Sequence, residues 1–259
     1  MSSPRVFIIR HGETEWSLNG RHTGTTELPL TAAGEKRIRA TGAALVGDDR
    51  LIVPGNLACI YVSPRHRAQR TLELLALGCR DRYPFPTSSS SPPPSPSSSP
   101  THPFRTTAPT HITPSIREWD YGSYEGLTSS QIRASRAARG LPPDWDIWRD
   151  GCEAGESPAD VTARLDAFIA ELREKWHVGR FGKDAGCGTE VPSDVLVVAH
   201  GHVLRALAAR WIGKPLEGNP SLILEAGGVG TLSYEHHRVE EPAILLGGAF
   251  VVDALQKTA

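Results

Sequence analysis

The chain has 259 residues, 39% of them hydrophobic, and a formal net charge of −1. This composition supports one large core, and the balanced charge argues against general binding of nucleic acid or other polyanions. No apolar run approaches the ~20 residues of a membrane span, and the first apolar run starts too early for a signal peptide to precede it. The four cysteines match neither a disulfide framework nor a zinc site. We therefore expect a cytoplasmic, single-domain protein over residues 1–259 that does not bind membranes.

The first apolar run ends in residue types that are typical of a ligand site. Residues 6–9 are β-branched or aromatic, which predicts a buried strand in a parallel or mixed sheet. Arg10 and His11 follow at its carboxyl end, where α/β sheets bind ligands, and Gly12 permits a tight turn. The alternative is that these side chains merely terminate a strand.

The next segment combines a polar loop with a helix. Residues 19–24 are polar and rich in glycine, and loops at the carboxyl end of a strand often contact ligands, although a solvated connection is equally compatible with the pattern. Residues 31–45 carry an apolar stripe that predicts a helix packed on the core.

A second strand, over residues 58–62, opens into a segment rich in arginine and histidine. Cations are unfavourable at a helix N-terminus unless an anion binds there. If a helix begins near Pro64, Arg67 lies in its first turn and reaches the crevice of Arg10 and His11. A solvated face is the alternative for the neighbouring cationic side chains.

The composition then changes to serine and proline. Residues 84–110 have almost nothing to bury, which predicts a mobile surface loop inserted into the domain. Phosphorylation or recognition of this loop by a partner is an open alternative. A second surface loop is predicted over residues 177–194.

A segment of aromatic residues and carboxylates follows the first loop. Aromatic walls desolvate a carboxylate and suit it to act as a general acid, and Glu118, Asp120 and Glu125 are the candidates. Any of the three could instead cap a backbone turn. Downstream, Ser157 and Pro158 mark the start of a strong amphipathic helix.

The last third of the chain repeats the design of the first strand. Residues 195–199 form a second buried run that ends in His200 and Gly201 and continues into a helical pattern. If the two strands are neighbours in the sheet, His11 and His200 lie side by side. Two further strands, near residues 227–236 and 243–246, are predicted to close the fold.

Taken together, these segments resemble the signature blocks of the histidine phosphatase superfamily, which has the phosphoglycerate mutase-like fold. The blocks are Arg10-His11-Gly12-Glu13-Thr14, Ser63-Pro64 with Arg67-Ala68 and Thr71, Glu118 ahead of Tyr121-Gly122, and His200-Gly201. The resemblance implies a three-layer α/β/α sandwich around a mostly parallel mixed sheet. A tighter resemblance, carried by the segments at 147–153, 200–205, 232–237 and 241–243, is to fungal sedoheptulose-1,7-bisphosphatases, although the segment 211–227 is shorter than expected for them.

The resemblance also implies a chemistry. His11 would attack phosphorus and form a phosphohistidine, Arg10, Arg67 and His200 would hold the phosphoryl oxygens, and Glu118 would be the acid and base. No metal and no cofactor are expected, because these groups supply the charge stabilisation. The predicted substrate is a small phosphorylated sugar, with contacts from Thr23, Gly24, Gly201, Arg205 and His236.

Two other functions use the same apparatus. A phosphoglycerate mutase would shield the phosphohistidine from water and transfer the phosphoryl group. A phosphopeptide-binding module would need neither a nucleophile nor an acid, so the joint presence of His11 and Glu118 argues against it. We therefore predict a sugar (bis)phosphatase, and a homodimer is compatible with this prediction.

Overall fold

A computed structural model describes residues 3–79, 105–181 and 191–246. Within these ranges one sheet runs through the molecule, in the order β3-β2-β4-β1-β5-β6. β3, β2, β4 and β1 are mutually parallel, whereas β5 and β6 run antiparallel to their neighbours, so the predicted mostly parallel mixed sheet is confirmed. The strands are Val6–Arg10 (β1), Leu57–Val62 (β2), Thr110–Ile112 (β3), Asp194–Ala199 (β4), Val229–Tyr234 (β5) and Pro242–Leu245 (β6).

Helices cover both faces of the sheet and give the predicted three layers. Helices α2 and α3 pack on one face, and α4 to α7 pack on the other. None of the helices in the described ranges is long and apolar enough to cross a bilayer. The α-helices are Glu15–Asn19 (α1), Ala32–Leu45 (α2), His66–Leu74 (α3), Ser129–Ala138 (α4), Ile147–Asp150 (α5), Pro158–Leu172 (α6) and Gly201–Trp211 (α7).

Strand β1 occupies the centre of the sheet, as its sequence predicts. Val6 and Ile8 face one helical layer, and Phe7 and Ile9 face the other. All four side chains are at most 5% exposed. A strand buried on both faces needs apolar residues at every position, which is why it reads as a continuous apolar run and not as an alternation.

Local sequence determines where some helices begin. Ser157 caps α6, with Pro158 in its first turn, as predicted. Helix α3 begins at His66, close to the predicted start near Pro64, so Arg67 lies in its first turn as predicted. The Ser63 N–H still donates to Val198 O in the sheet.

The two predicted surface loops overlap the described residues only at their ends. Residues 80–104 and 182–190 lie outside the described ranges, and with them most of both loops. Residues 105–110 are ordered against the sheet, with Ala108 in the core, so this part of the loop was predicted wrongly. His177 and Asp194, at the ends of the second loop, are also buried, which the polar composition between them concealed.

Candidate functional site

A cavity of about 260 Å³ opens at the carboxyl end of β1 and the start of α7. Three arginines line it, and Glu118 is the sole carboxylate among its described lining residues. Within the described ranges, no three His, Cys, Asp or Glu side chains are grouped so that they could hold a metal ion. The lining residues are Arg10, His11, Thr14, Trp16, Ser17, Gly20, Arg21, His22, Thr23, Glu118, Tyr121, Ser129, Gly201, His202 and Arg205.

His11 presents an unprotonated nitrogen to this cavity. Its Nδ1 lies 2.7 Å from Gly12 O, and because a carbonyl can only accept, Nδ1 carries the proton and Nε2 keeps its lone pair. Burial, followed by the charges of Arg67 and Arg10, lowers the pKa of His11 to about 3. The imidazole is therefore neutral near pH 7, as a nucleophile must be.

His200 lies against His11, as the sequence predicts for neighbouring strands. The two ring centroids are 5.2 Å apart, in an edge-on arrangement. Arg67 Nε donates to His200 Nδ1 at 3.2 Å, so Nε2 is the protonated nitrogen and donates to Ser63 Oγ at 2.6 Å. Burial and the charge of Arg67 hold the pKa of His200 well below its ordinary value.

Arg67 and His200 lie behind His11 and do not line the cavity. The Arg67 guanidinium donates to the carbonyls of Thr23, Gly24 and Thr26, and not to the open space where a phosphoryl group would sit. Glu125 accepts the N–H groups of residues 24–26 on the same turn. In this structure Arg67 therefore holds a turn and orients His200.

Arg10 is the guanidinium beside the nucleophile. One of its terminal nitrogens, Nη1, donates to Leu224 O at 2.8 Å, and its buried Nε has no partner in the described protein. Gly201 packs directly on its plane, since a Cβ there would lie 3.2 Å from Cζ. Because Gly201 has no side chain, α7 can begin in contact with the Arg10 guanidinium.

Glu118 is bound to the first turn of α7. Its Oε1 accepts the N–H groups of Trp119 and Val203, at 3.0 and 2.9 Å, and Oε2 accepts that of His202, at 3.1 Å. Among the described residues Oε2 accepts a single N–H, so it keeps an acceptor position at which a proton can be held. The carboxyl is 6% exposed and has a fixed direction.

The other two candidate carboxylates cap turns. Asp120 Oδ1 accepts the Gly122 N–H at 3.0 Å, and Glu125 caps the turn at 24–26 described above. Of the three candidates, Glu118 alone lines the cavity. Which of the three carboxylates reaches the cavity depends on the backbone geometry of the folded chain, so composition alone could not identify it.

A buried carboxylate outside the cavity holds the segment that carries Glu118. Glu156 accepts from Arg117 at 2.6 Å, from Arg164 at 2.8 and 3.0 Å, and from the Asp120 N–H at 3.0 Å. Its own carbonyl accepts the Trp119 indole N–H at 2.8 Å. The contacts of Glu156 therefore hold the residues on both sides of Glu118 in place.

The five predicted substrate contacts fall in different places. Thr23, Gly201 and Arg205 line the cavity, and the Arg205 guanidinium lies over the Trp148 ring. Gly24 is buried in the turn held by Arg67, where a Cβ would meet the Trp119 carbonyl at 2.5 Å. The exposed His236 lies outside the cavity and contacts Glu241 at 2.7 Å.

Several lining residues were not singled out from the sequence. Arg21 and His22 belong to the polar loop for which ligand contact and a solvated connection were equally compatible, and nothing in the sequence distinguished individual residues within it. His202 follows His200 by two positions, and this spacing at a helix start was the available signal. Tyr121 was part of the signature block with Glu118, but nothing in the sequence assigned it a contact in the site.

Comparisons with known proteins agree with this geometry. A profile of the histidine phosphatase superfamily (branch 1) matches residues 6–84 and 102–243. The sedoheptulose 1,7-bisphosphatase of Saccharomyces cerevisiae is 34% identical over 96% of this chain and 94% of that protein. An acid phosphatase of Mycobacterium tuberculosis is also 34% identical, over 90% and 87%. A solved phosphoglycerate mutase of Bacillus anthracis superposes with a TM-score of 0.64 at 17% identity, covering 94% of this chain and 92% of that one, which shows a shared fold.

Proposed function

The chain belongs to the histidine phosphatase superfamily and is a phosphoric monoester hydrolase, and from this premise we propose that it hydrolyses sugar bisphosphates through a phosphohistidine on His11. The proposal is supported by the distribution of charge in the cavity. Three guanidinium groups line it, and their number allows each of two phosphates to be bound by at least one of them.

The cations are spread along the cavity. Arg10 lies beside His11, whereas Arg205 lies on α7 four residues after Gly201, or about 6 Å further along the helix. Arg21 lies in the loop after α1. A substrate with a phosphate at each end would place one on Arg10 and the other near Arg205 and Arg21.

The proposed reaction has two steps. In the first, the Nε2 lone pair of His11 attacks phosphorus, the bond to the sugar oxygen breaks, and Glu118 protonates that oxygen. In the second, Glu118 takes a proton from water, whose oxygen attacks the phosphohistidine and releases phosphate and neutral His11. Arg10 stabilises the charge on the transferring oxygens in both steps.

In this proposal Arg67 and His200 do not contact the phosphoryl group but position the nucleophile. The contact of His200 with the His11 ring at 5.2 Å limits where that ring can point, and Arg67 sets the orientation of His200. Closer approach of Arg67 to the phosphoryl oxygens would require its hydrogen bonds to the carbonyls of Thr23, Gly24 and Thr26 to break.

The yeast relative supports the choice of a sugar bisphosphate. Its name states a bisphosphorylated seven-carbon sugar, and the alignment spans nearly all of both chains. The three guanidinium groups described above are consistent with such a substrate.

The test is phosphate release from a panel of substrates. We expect sedoheptulose 1,7-bisphosphate and fructose 1,6-bisphosphate to exceed fructose 6-phosphate and the phosphoglycerates in kcat/KM by at least about tenfold. Arg205→Gln should lower kcat/KM for the bisphosphates toward that for the monophosphate. Arg210→Gln, on the same helix but paired with Asp166 and outside the cavity, is the matched control.

Three outcomes would contradict the proposal. Equal kcat/KM values for monophosphates and bisphosphates would show that the protein does not recognise a second phosphate. Transfer between phosphoglycerates without release of phosphate would indicate a mutase. Tight binding of a phosphopeptide without turnover would indicate a binding module.

A further inference from the structure

Two imidazoles line the cavity without a role in the chemistry above. The rings of His22 and His202 are stacked, with centroids 5.7 Å apart and planes 15° apart. Tyr121 and Trp145 meet the His22 ring edge-on, at 4.8 and 5.7 Å, so its orientation is fixed by packing. Both imidazoles belong to the cavity wall that also carries Arg205.

His22 offers an acceptor to the cavity. Its Nδ1 lies 2.8 Å from Leu127 O, and a carbonyl can only accept, so Nδ1 is the protonated nitrogen. The other nitrogen, Nε2, makes no hydrogen bond to the part of the chain that the structure describes. It therefore presents a bare lone pair.

His202 offers a donor. Its Nδ1 lies 2.8 Å from the Tyr121 hydroxyl. Burial raises the pKa of Tyr121 well above its ordinary value, so the hydroxyl keeps its proton, and His202 is its hydrogen-bond partner among the described residues. If the hydroxyl donates to Nδ1, both buried groups are satisfied and Nε2 carries the ring proton.

Neither ring can serve as a cation for phosphate near neutral pH. Burial lowers the pKa of His22, and burial together with the charges of Arg205 and Arg10 holds the pKa of His202 well below its ordinary value. Two neutral rings that present one acceptor and one donor are suited to hydroxyl groups, which donate and accept.

We infer that His22 and His202 form a sugar-hydroxyl subsite, in which His22 Nε2 accepts from and His202 Nε2 donates to hydroxyls of the carbon chain. This inference rests on the proposed function, because it assigns the part of a polyol bisphosphate that lies between its phosphates. A hydrogen-bonding site rejects an analogue that lacks the hydroxyl, since its own polar groups are then left unpaired.

The experiment compares two bisphosphates that differ in their hydroxyls. Fructose 1,6-bisphosphate carries them, and 1,6-hexanediol bisphosphate keeps both phosphates without them. We expect wild type to prefer the sugar by at least about tenfold in kcat/KM. His22→Asn keeps a donor for Leu127 O but removes the Nε2 acceptor, and His202→Asn keeps an acceptor for the Tyr121 hydroxyl but removes the Nε2 donor. Each should lower the preference several-fold, because the loss of one hydrogen bond slows the sugar more than the diol.

The controls separate this inference from folding and from the proposed function. His22→Gln places an amide at the Nε2 position and should retain more of the preference than His22→Asn. Turnover of an aryl phosphate, which has no sugar, should fall much less than turnover of the sugar bisphosphate in folded variants. An unchanged sugar preference in both asparagine variants would overturn the subsite, whereas failure of wild type to hydrolyse either bisphosphate would overturn the proposed function itself.

Discussion

A histidine attacks phosphorus only through an unprotonated ring nitrogen, and the surroundings of His11 favour that form. The Gly12 carbonyl selects the tautomer, and burial with two neighbouring guanidinium groups disfavours a second proton. Arg10, which would stabilise an incoming phosphate, thus also helps burial and Arg67 to keep the nucleophile unprotonated under mildly acidic conditions.

We expect His11 to remain neutral between pH 7.5 and 5 in the free protein. Its pKa of about 3 lies below this range, whereas an unperturbed imidazole titrates near 6.5. The measurement is the pH dependence of the His11 ring resonances by NMR, assigned by their loss in His11→Asn. Titration of these resonances near pH 6.5 would contradict this expectation.

At this scale the sequence predicts residue positions better than hydrogen-bond partners. Arg10 and His11 could be identified because a strand end and a glycine are local features. The proximity of His200 followed from two similar strands. The direction of the Arg67 guanidinium could not be predicted, because its acceptors are carbonyls of a turn about forty residues away in the chain.

The elements of the fold position the site through their ends. β1 and β4 are parallel neighbours, which brings the residues after each of them, His11 and His200, to the same edge of the sheet. Helix α7 then starts at that edge and supplies the N–H groups that bind Glu118. Strand cores and the cap of α6 were predictable from local patterns, whereas the segment 117–120 has no periodicity and depends on Glu156 for its position.

We predict that Glu156→Gln impairs catalysis through Glu118. The neutral amide weakens the contacts to Arg117 and Arg164, so the acid should be less well placed and kcat for the sugar bisphosphate should fall about tenfold with little change in KM. An aryl phosphate, whose leaving group needs little protonation, should be affected much less. The difference between the two substrates is the measurement, because a purely structural defect would slow both alike.

Glu153→Gln is the matched control for this variant. Glu153 lies three residues earlier and pairs with Arg139 at an exposed site, so the change should leave both substrates unaffected. Equal losses on alkyl and aryl phosphates in Glu156→Gln would show that Glu156 does not position the acid.

Across the whole molecule, buried neutral imidazoles connect stability with pH. Within the described ranges, burial lowers the pKa of five histidines: three line the cavity, His200 contacts His11, and His177 packs with Tyr234 in a separate cluster. His177 has a pKa of about 3. In the unfolded chain these groups bind protons near pH 6.5. Their contribution to the free energy of unfolding is therefore fully present above that pH and is lost as the pH falls toward 3. The five are His11, His22, His177, His200 and His202.

Replacement of His177 should therefore flatten the acid side of the stability profile. In wild type this residue contributes a loss of roughly 1.4 kcal/mol per pH unit between about pH 6 and 4, and His177→Asn should remove it. The free energy of unfolding by urea, measured at several pH values, gives the slope. Tyr234→Phe, which removes the hydroxyl 2.6 Å from His177 Nδ1 but keeps the imidazole, should lower stability at every pH with the slope retained. Equal slopes in wild type and His177→Asn would refute this assignment.

The central claim is that phosphate passes through His11, and trapping the phosphorylated protein tests it most directly. Rapid mixing with fructose 1,6-bisphosphate, followed by an alkaline quench and peptide mass spectrometry, should find phosphate on His11 in wild type. His11→Asn keeps a donor for the Gly12 carbonyl but removes Nε2, so it should show no phosphopeptide and lose hydrolysis by more than about a thousandfold. Phosphate trapped on another residue, or hydrolysis retained in His11→Asn, would contradict the account.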